Sequence, residues 1–239
     1  MKDIKYLIFD VDNTLLDFDV SFMNSERAVA KAAGIPMTGE YLEEDEKFMW
    51  MAWDELGLND TSEEGMDNYH LKYRVYAARH YEYLAEKYGL DIDPFKMVTV
   101  FLNALADTHY LMEKETLEVY KALSEKYKLV IATNSVFEVS RRLDIFRPYT
   151  YKIFVSDELH CVKPSLQFFN AVIEGLGCRP EECLMIGDSL SNDVRGAKGA
   201  GMKTCWYKRV KPDAVNTEAD IAILSMLELK KMFLPESGD

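Results

Sequence analysis

The sequence is poor in basic residues. Lysine and arginine together number 28 against 41 aspartates and glutamates, which gives a formal net charge of −13. Nucleic acids and anionic membrane surfaces are bound by basic faces, so we expect neither as a partner. A small anionic substrate stays compatible with this charge, because a metal ion or a lysine reverses the local sign inside a pocket.

Cysteine is also rare, and no long apolar run occurs. The 4 cysteines form no C-x-x-C pair, and the spacing of Cys178 and Cys183 does not fit a zinc finger. The N-terminal apolar run 6–9 is too short for a signal peptide, and no stretch reaches the length of a transmembrane helix. The sequence therefore predicts free thiols and a cytoplasmic protein.

Hydrophobic residues nevertheless make up 48% of the chain, and many stand in short runs of strand length. The runs are rich in β-branched and aromatic side chains, which favour strands. They are YLIF (6–9), LVIAT (129–133), YKIFVS (151–156), CLMIG (183–187), TCWY (204–207) and ADIAIL (219–224).

Helical patterns alternate with these runs from residue 129 onward. Apolar residues recur at helical spacing in 136–146 and 165–177, and 191–201 resembles a short helix that ends in glycine. Alternation of helices with apolar strands is typical of a parallel sheet covered on both faces. We predict an α/β fold, a doubly wound parallel sheet, built from residues 1–17 and 107–239.

The stretch between the first two strands is different. Residues 20–106 contain no convincing strand pattern. Tyr41, Phe48 and Trp53 share one helical stripe, and Asp93 followed by proline fits the start of a further helix. We therefore predict a helical domain over 18–106, inserted after the first strand.

Polar residues follow four of the predicted strands. In chain order they are Asp10 and Asp12, then Thr133, Asn134 and Ser135, then Lys163, and finally Asp188 and Asp193. Ligands of doubly wound sheets bind beyond the carboxyl ends of the strands. We therefore expect these residues to face one crevice.

The chemistry of this set points to phosphoryl transfer. Asp10 and Asp12 are two residues apart and point the same way in an extended chain. Two carboxylates held together away from water need a joining cation or a shared proton. With Asp188 they form an all-oxygen donor set, which suits Mg²⁺. Groups that bind anions complete the set, namely the Thr133 hydroxyl, the N–H groups of Asn134 and Ser135, and the Lys163 ammonium.

Four motifs in this order resemble those of the haloacid dehalogenase-like hydrolase superfamily. They are DVDNT (10–14), TN (133–134), KP (163–164) and GDSLSND (187–193). DVDNT and GDSLSND are weak patterns alone, whereas all four in order at strand ends are specific. The resemblance covers essentially the whole chain. In phosphatases of this superfamily the first aspartate is the nucleophile and the second the acid and base, roles that fall on Asp10 and Asp12.

The resemblance implies a Mg²⁺-dependent hydrolysis of phosphate esters through an aspartyl-phosphate on Asp10. The implied metal ligands are Asp10, Asp188 and the main-chain carbonyl of Asp12. Thr133 and Lys163 are expected to hold the phosphate oxygens. Asp193 is expected to orient Lys163 or a metal-bound water, with helix capping as the alternative.

The resemblance also bears on the substrate. True dehalogenases of the superfamily lack an aspartate at the position of Asp12, since a halide needs no proton, so Asp12 favours phosphate ester chemistry. The insert over 18–106 is similar to the family's helical cap of the first type, which closes over the site. The insert, the TNS turn and CWY (205–207) look most like the branch active on pyrimidine nucleoside monophosphates. We predict a 5′-nucleotidase, in which the aromatic residues of the insert stack on a base or form the cap core.

Three positions depart from the family pattern. His160 stands where a glycine usually precedes the motif lysine by three residues. Ser165 stands in place of an aspartate after the KP pair, and Ser135 in place of a glycine after the TN pair. These departures bear on the shape of the loops around Lys163.

Other functions stay open at this point. The runners-up are a sugar-phosphate or phosphoglycolate phosphatase and a phosphomutase, which must keep its phosphoenzyme away from water. A non-catalytic sensor of phosphorylated ligands has no need of both Asp10 and Asp12. The expected partner is a small phosphorylated metabolite, and both a monomer and a homodimer fit the sequence.

Overall fold

Six strands form one parallel sheet. The structure is a computed structural model. It describes residues 3–58, 60, 69–209, 211–215 and 218–235, without the side chains of residues 69 and 70. The strands are β1 (Tyr6–Phe9), β2 (Lys128–Thr133), β3 (Lys152–Val155), β4 (Cys183–Gly187), β5 (Lys203–Tyr207) and β6 (Ile221–Ile223). Their order is β3-β2-β1-β4-β5-β6, and every neighbouring pair is parallel. The six predicted strands and the doubly wound α/β fold are confirmed.

Both faces of the sheet are covered, which explains why its strands read as continuous apolar runs. All four residues of β1 are buried. Leu7 and Phe9 belong to the hydrophobic cluster on one face, and Tyr6 and Ile8 to the cluster on the other. This alternation follows from the two-residue period of a strand.

Helices flank the sheet and fill the insert. They are α1 (Phe18–Ala33), α2 (Gly39–Glu55), α3 (Tyr69–Tyr88), α4 (Pro94–Ala106), α5 (Thr116–Ser124), α6 (Ser156–Leu159), α7 (Leu166–Leu176), α8 (Gly196–Gly199) and α9 (Met226–Phe233). The predicted cap of α4 is present, because the Asp93 side chain accepts hydrogen bonds from the N–H groups of Phe95 and Lys96. Among the described residues, no helix is long and apolar enough to cross a membrane.

Two segments with helical patterns are not regular α-helices. Residues 136–146 contain the 3₁₀ helix Phe137–Leu143. Residues Leu190–Arg195 form one π-helical turn before α8. In this turn the N–H of Val194 donates to the carbonyl of Ser189 over 3.2 Å, five residues back. Such π turns are common at functional sites, and this one carries Asp193.

The chain divides into two compact units. One consists of Met1–Phe18, His109–Ser135 and Leu143–Asp239, and the other of Asp19–Thr108 together with Val136–Arg142. The helical unit has its own core, which includes Tyr41 and Phe48 from the predicted stripe of α2. Its identification as a cap stays a prediction.

Candidate active site

Asp10 lies at the point where the strand order of the sheet reverses. It directly follows β1, between β2 and β4, and its N–H donates to the carbonyl of Ile186 in β4 over 2.9 Å. Ligands of open α/β sheets bind at such a switch point. The Asp10 carboxylate is buried, so its charge depends on the groups around it.

Lys163 is the cation that reaches Asp10. Its Nζ donates to Asp10 Oδ1 over 2.6 Å and to Asp193 Oδ1 over 2.7 Å. Burial lowers the pKa of Lys163, but the two carboxylates outweigh it and raise the pKa above its usual value, so the side chain stays an ammonium. The Asn134 amide fixes its backbone by donating to the Lys163 carbonyl over 2.9 Å and accepting from the Lys163 N–H over 2.8 Å.

Asp193 is held from both sides. Its Oδ1 accepts from Lys163, and its Oδ2 accepts from the N–H of Ser189 over 3.1 Å. Gly187 makes room for it, since a Cβ at this position would lie 2.1 Å from Asp193 Oδ2. The structure therefore places Asp193 in hydrogen-bond contact with Lys163, one of the two partners that the sequence predicted for it, and its role in positioning Lys163 stays a prediction.

Asp188 is anchored through its backbone. Its N–H donates to the hydroxyl of Thr14 over 3.1 Å, and its carbonyl accepts from the indole N–H of Trp206 over 2.8 Å. Sequence reasoning gave neither Thr14 nor Trp206 a role. Thr14 had a signal, because it ends the DVDNT motif. Trp206 read as part of strand β5 and of the CWY run that favoured the nucleotidase branch, with no contact to Asp188 expected.

Three of the residues predicted to bind an anion, Thr133, Asn134 and Ser135, lie at the carboxyl end of β2. Thr133 is buried at the end of this strand. The N–H of Ser135 donates to the hydroxyl of Ser156 over 3.0 Å, and that hydroxyl also lies 3.0 Å from the Ser135 carbonyl. Ser156 is a further residue that sequence reasoning missed. Binding of an anion by the Ser135 N–H would require exchange of this hydrogen bond.

Three carboxylates converge into a candidate metal site. Oxygens of Asp10, Asp188 and Asp193 all lie within 4.8 Å of one another. The side chain of Asp12 is not in this group, but its charge contributes to raising the pKa of Asp10 and Asp188. Burial is the largest cause in both cases, and with the charge of Asp193 it raises the pKa of Asp188 to about 7.

This donor set fits Mg²⁺. It offers only oxygen ligands, which a hard cation prefers. Among the residues that the structure describes, Lys163 is the one ammonium that forms an ion pair with Asp10 and Asp193, so the three carboxylates carry excess negative charge when ionised. A divalent cation would balance that charge.

Comparison with known proteins identifies the family. The model of the haloacid dehalogenase-like hydrolases matches residues 4–201. The chain belongs to this family.

Relatives within the family differ in substrate. The chain is 28% identical over 211 residues to the pyrimidine 5′-nucleotidase PynA of Streptococcus pneumoniae, covering 85% of this chain and 83% of PynA. It is 27% identical over 254 aligned positions to the glyceraldehyde 3-phosphate phosphatase of Pyrococcus furiosus, covering 100% of this chain and 96% of that enzyme. Both are hydrolases of phosphate esters by name, on different kinds of substrate.

A solved structure supports the fold. The magnesium-bound HAD-hydrolase YfnB of Bacillus subtilis superposes with a TM-score of 0.79 at 25% identity, covering 97% of this chain and 99% of that one. In sequence the two are 28% identical over 214 residues. The doubly wound sheet is thus the family's fold.

The departure from the family pattern at His160 now has a physical meaning. His160 ends the short helix α6 in the left-handed region, with φ 54° and ψ 26°. Glycine adopts this conformation without a Cβ penalty, whereas other residues pay for it. A glycine would adopt this turn without that cost, and His160 adopts it despite its Cβ.

Proposed function

We propose that this family member is a Mg²⁺-dependent phosphomonoester hydrolase in which Asp10 is the nucleophile. The observation that carries the proposal is the buried contact of 2.6 Å between Asp10 and Lys163, beside the carboxylates of Asp188 and Asp193. A carboxylate nucleophile next to a fixed cation suits attack on a phosphoryl group, because the phosphoryl oxygens carry negative charge.

The reaction takes two steps. In the first, an oxygen of Asp10 bonds to phosphorus, the bond from phosphorus to the ester oxygen breaks, and Asp12 gives its proton to the leaving alkoxide. In the second, Asp12 takes a proton from a water molecule, whose oxygen attacks phosphorus and displaces Asp10. Inorganic phosphate leaves, and both aspartates return to their starting state.

The remaining residues position the phosphoryl group. Lys163 and the Thr133 hydroxyl hold its oxygens, and Asp193 keeps the Lys163 ammonium in place. The side-chain amide of Asn134 is hydrogen-bonded to the backbone of Lys163. Asn134 therefore binds the phosphoryl group through its backbone N–H. The Ser135 N–H is a second backbone donor at this turn.

Asp10 and Asp188 would hold Mg²⁺ together with the main-chain carbonyl of Asp12. When bound, the metal supplies positive charge that offsets the charge on the phosphoryl oxygens. Both oxygens of Asp193 already accept hydrogen bonds, from Lys163 and Ser189, so we assign Asp193 to positioning and not to the metal.

The substrate we propose is a nucleoside monophosphate, and within this class we propose that pyrimidine 5′-nucleotides are preferred. Similarity to PynA and the motif resemblance support this choice. A sugar or triose phosphate is the second candidate, because the chain is nearly as similar to the glyceraldehyde 3-phosphate phosphatase. A cytoplasmic location stays a prediction from the sequence.

The test is phosphate release from a panel of esters, with Mg²⁺ and with a chelator. The panel contains UMP, dUMP, TMP, glyceraldehyde 3-phosphate, other sugar phosphates, phosphoglycolate and p-nitrophenyl phosphate. Metal-dependent release that is highest on the pyrimidine nucleotides supports the full proposal. Highest release on a sugar phosphate or phosphoglycolate retains the chemistry and replaces the substrate. Transfer to a second sugar phosphate without free phosphate identifies a mutase, and no turnover of any ester contradicts the proposal.

A further inference from the structure

Two of the four free thiols lie in contact. The sulfurs of Cys178 and Cys183 are 3.3 Å apart, which is closer than the about 3.5–4.0 Å at which two carbon atoms make contact. Cys183 is buried and Cys178 is partly buried. The other two cysteines, Cys161 and Cys205, are buried free thiols.

Backbone elements bring these two sulfurs together. Cys178 directly follows Gly177, which ends α7 in the left-handed conformation with φ 60°. Cys183 is the first residue of β4. The 3₁₀ turn Pro180–Glu182 joins the two elements, and its last residue forms a salt bridge with Lys5. The proximity of the sulfurs therefore does not depend on side-chain rotamers alone.

The contact between the two sulfurs has the geometry of an S–H···S hydrogen bond, in which either thiol can donate. The Ile173 carbonyl oxygen lies 4.0 Å from Cys178 Sγ, and the Arg179 carbonyl oxygen lies 3.9 Å from Cys183 Sγ. Each S–H hydrogen thus has a carbonyl acceptor in addition to the other sulfur. A disulfide bond of about 2.05 Å requires the sulfurs to approach by about 1.3 Å from their present separation.

We propose that Cys178 and Cys183 form a reversible dithiol–disulfide pair that a small-molecule disulfide, such as glutathione disulfide, oxidises. The thiolate of Cys178, the more accessible of the two, attacks one sulfur of glutathione disulfide. A bond forms between Cys178 and one glutathione, and the other glutathione leaves as a thiolate and takes up a proton. Cys183 then loses its proton, attacks the Cys178 sulfur and expels the second glutathione. The two cysteines lose two electrons and two protons, and glutathione disulfide gains them.

The environment of the pair sets the rate of this exchange. Burial raises the pKa of both thiols, so the thiolate fraction is small at neutral pH. Oxidation of the folded protein is therefore slow at pH 7 and quickens about tenfold for each unit of pH. Once formed, the disulfide closes a short ring and stabilises the folded state, so the Tm rises.

The experiment incubates the native full-length protein with glutathione disulfide at pH 8, blocks the remaining thiols with N-ethylmaleimide in acid, and digests after glutamate. Glu181 and Glu182 lie between the two cysteines, so digestion separates them unless a disulfide holds the peptides together. We expect the linked peptide pair, release of two glutathione thiols for each chain, and full reversal by dithiothreitol. A glutathione that stays on Cys178, or linkage that forms only in urea, overturns the proposal.

Two variants serve as matched controls. Cys161→Ser removes a thiol outside the pair, and we expect it to form the linked peptides at the wild-type rate. Cys178→Ser removes the partly buried thiol, and we expect it to form no linked peptide and to keep the Tm of the reduced protein after oxidation. Linkage that involves Cys161 or Cys205 in the wild-type protein would contradict the assignment of the pair. The proposed phosphatase activity does not enter these readouts, so either proposal can fail without the other.

Discussion

The ammonium of Lys163 donates a hydrogen bond of 2.6 Å to the carboxylate of Asp10, although the two residues are 153 positions apart in the chain. The sheet brings them together, since Asp10 follows β1 and Lys163 lies in the loops after β3. A second contact of 2.7 Å ties Lys163 to Asp193. One buried ammonium therefore pairs with two buried carboxylates. Loss of the ammonium would leave both carboxylates buried without a cation, which lowers the free energy of unfolding.

Lys163→Met should destabilise the protein. The substitution keeps most of the side-chain length and removes the charge, so Asp10 and Asp193 lose their cation, at a cost of about 3–5 kcal/mol in the free energy of unfolding. Urea unfolding in the presence of a chelator measures the loss. Lys5→Met is the matched control, because Lys5 forms an ion pair while its side chain stays 66% exposed, and we expect only a small change. Equal losses in the two variants would show that Lys163 has no special electrostatic role.

Asp10→Asn should abolish turnover and keep the fold. An amide is a poor nucleophile, so we expect phosphate release to fall by about 10³-fold or more. The amide oxygen still accepts a hydrogen bond from Lys163, and one of the mutually repelling carboxylates is lost, so stability without metal should not fall. Asp19→Asn, at an exposed position, is the control and should turn over at the wild-type rate. Near-normal phosphate release by the Asp10→Asn variant would show that Asp10 is not the nucleophile.

The sequence predicted the sheet, and it predicted that the main candidate site residues lie together, because both depend on local patterns. An apolar run such as 183–187 marks a buried strand, and the polar residue that follows it, Asp188, must lie at the carboxyl end. Parallel strands then bring all such ends to one edge. Asp10 and Lys163 could be expected together for this reason, without knowledge of any distance.

The contacts that sequence reasoning missed depend on register and on turn geometry. Trp206 reaches the Asp188 carbonyl only because β5 pairs with β4 so that Trp206 lies opposite Gly187. Ser156 meets Ser135 because β2 and β3 end side by side. The segment Leu190–Arg195, which forms the π turn and carries Asp193, has a sequence pattern similar to that of an α-helix, so the sequence predicted an ordinary helix there. No spacing in the chain distinguishes these cases.

His160 supplies a prediction about backbone strain. Because its φ is 54°, glycine fits this position better than any residue with a Cβ. We expect His160→Gly to be more stable than His160→Ala by about 1 kcal/mol, since both lose the imidazole and only one keeps the Cβ. Thermal or urea unfolding of the pair of variants measures this difference. Equal stability would mean that the left-handed conformation carries no cost at this turn.

A buried glutamate in the helical unit predicts a pH dependence of stability. Glu26 accepts hydrogen bonds from the hydroxyls of Tyr41 over 3.2 Å and Tyr81 over 3.0 Å, and it lies near Asp45, which contacts His80 over 2.7 Å. Burial, and next the charge of Asp45, raise the pKa of Glu26 from 4.5 to about 8. The folded protein therefore keeps a proton on Glu26 at pH values where the unfolded chain has released it.

The sign of the effect follows from this difference in bound protons. The contribution of Glu26 to stability is complete below pH 4.5 and is lost as the pH rises toward about 8. Each unit of pKa shift corresponds to about 1.4 kcal/mol in the free energy of unfolding. We expect the stability difference between wild type and Glu26→Gln to fall across this range, measured by urea unfolding at several pH values. Glu40→Gln, at an exposed position of α2, is the matched control for the same substitution outside the buried cluster. A flat difference for Glu26→Gln would contradict the assignment.

A substitution at Gly187 tests the geometry of the site without replacing a charged residue. A Cβ at this position would lie 2.1 Å from Asp193 Oδ2 and 2.3 Å from its Cγ, so Gly187→Ala must push the Asp193 carboxylate away from Lys163. Because Asp193 fixes the Lys163 ammonium, we expect kcat for phosphate ester hydrolysis to fall by about 10²-fold. Gly39→Ala is the matched control, since a Cβ there meets nothing within 4 Å, and we expect its kcat to be unchanged. A Cβ at position 187 would also lie 2.7 Å from the Cβ of Asp193, so only a second substitution to glycine, Asp193→Gly, removes all three close contacts. If the clash with Asp193 is the only damage, the double variant has the kcat of Asp193→Gly alone, whereas a further drop below that value would show that Gly187 acts on the site through another contact.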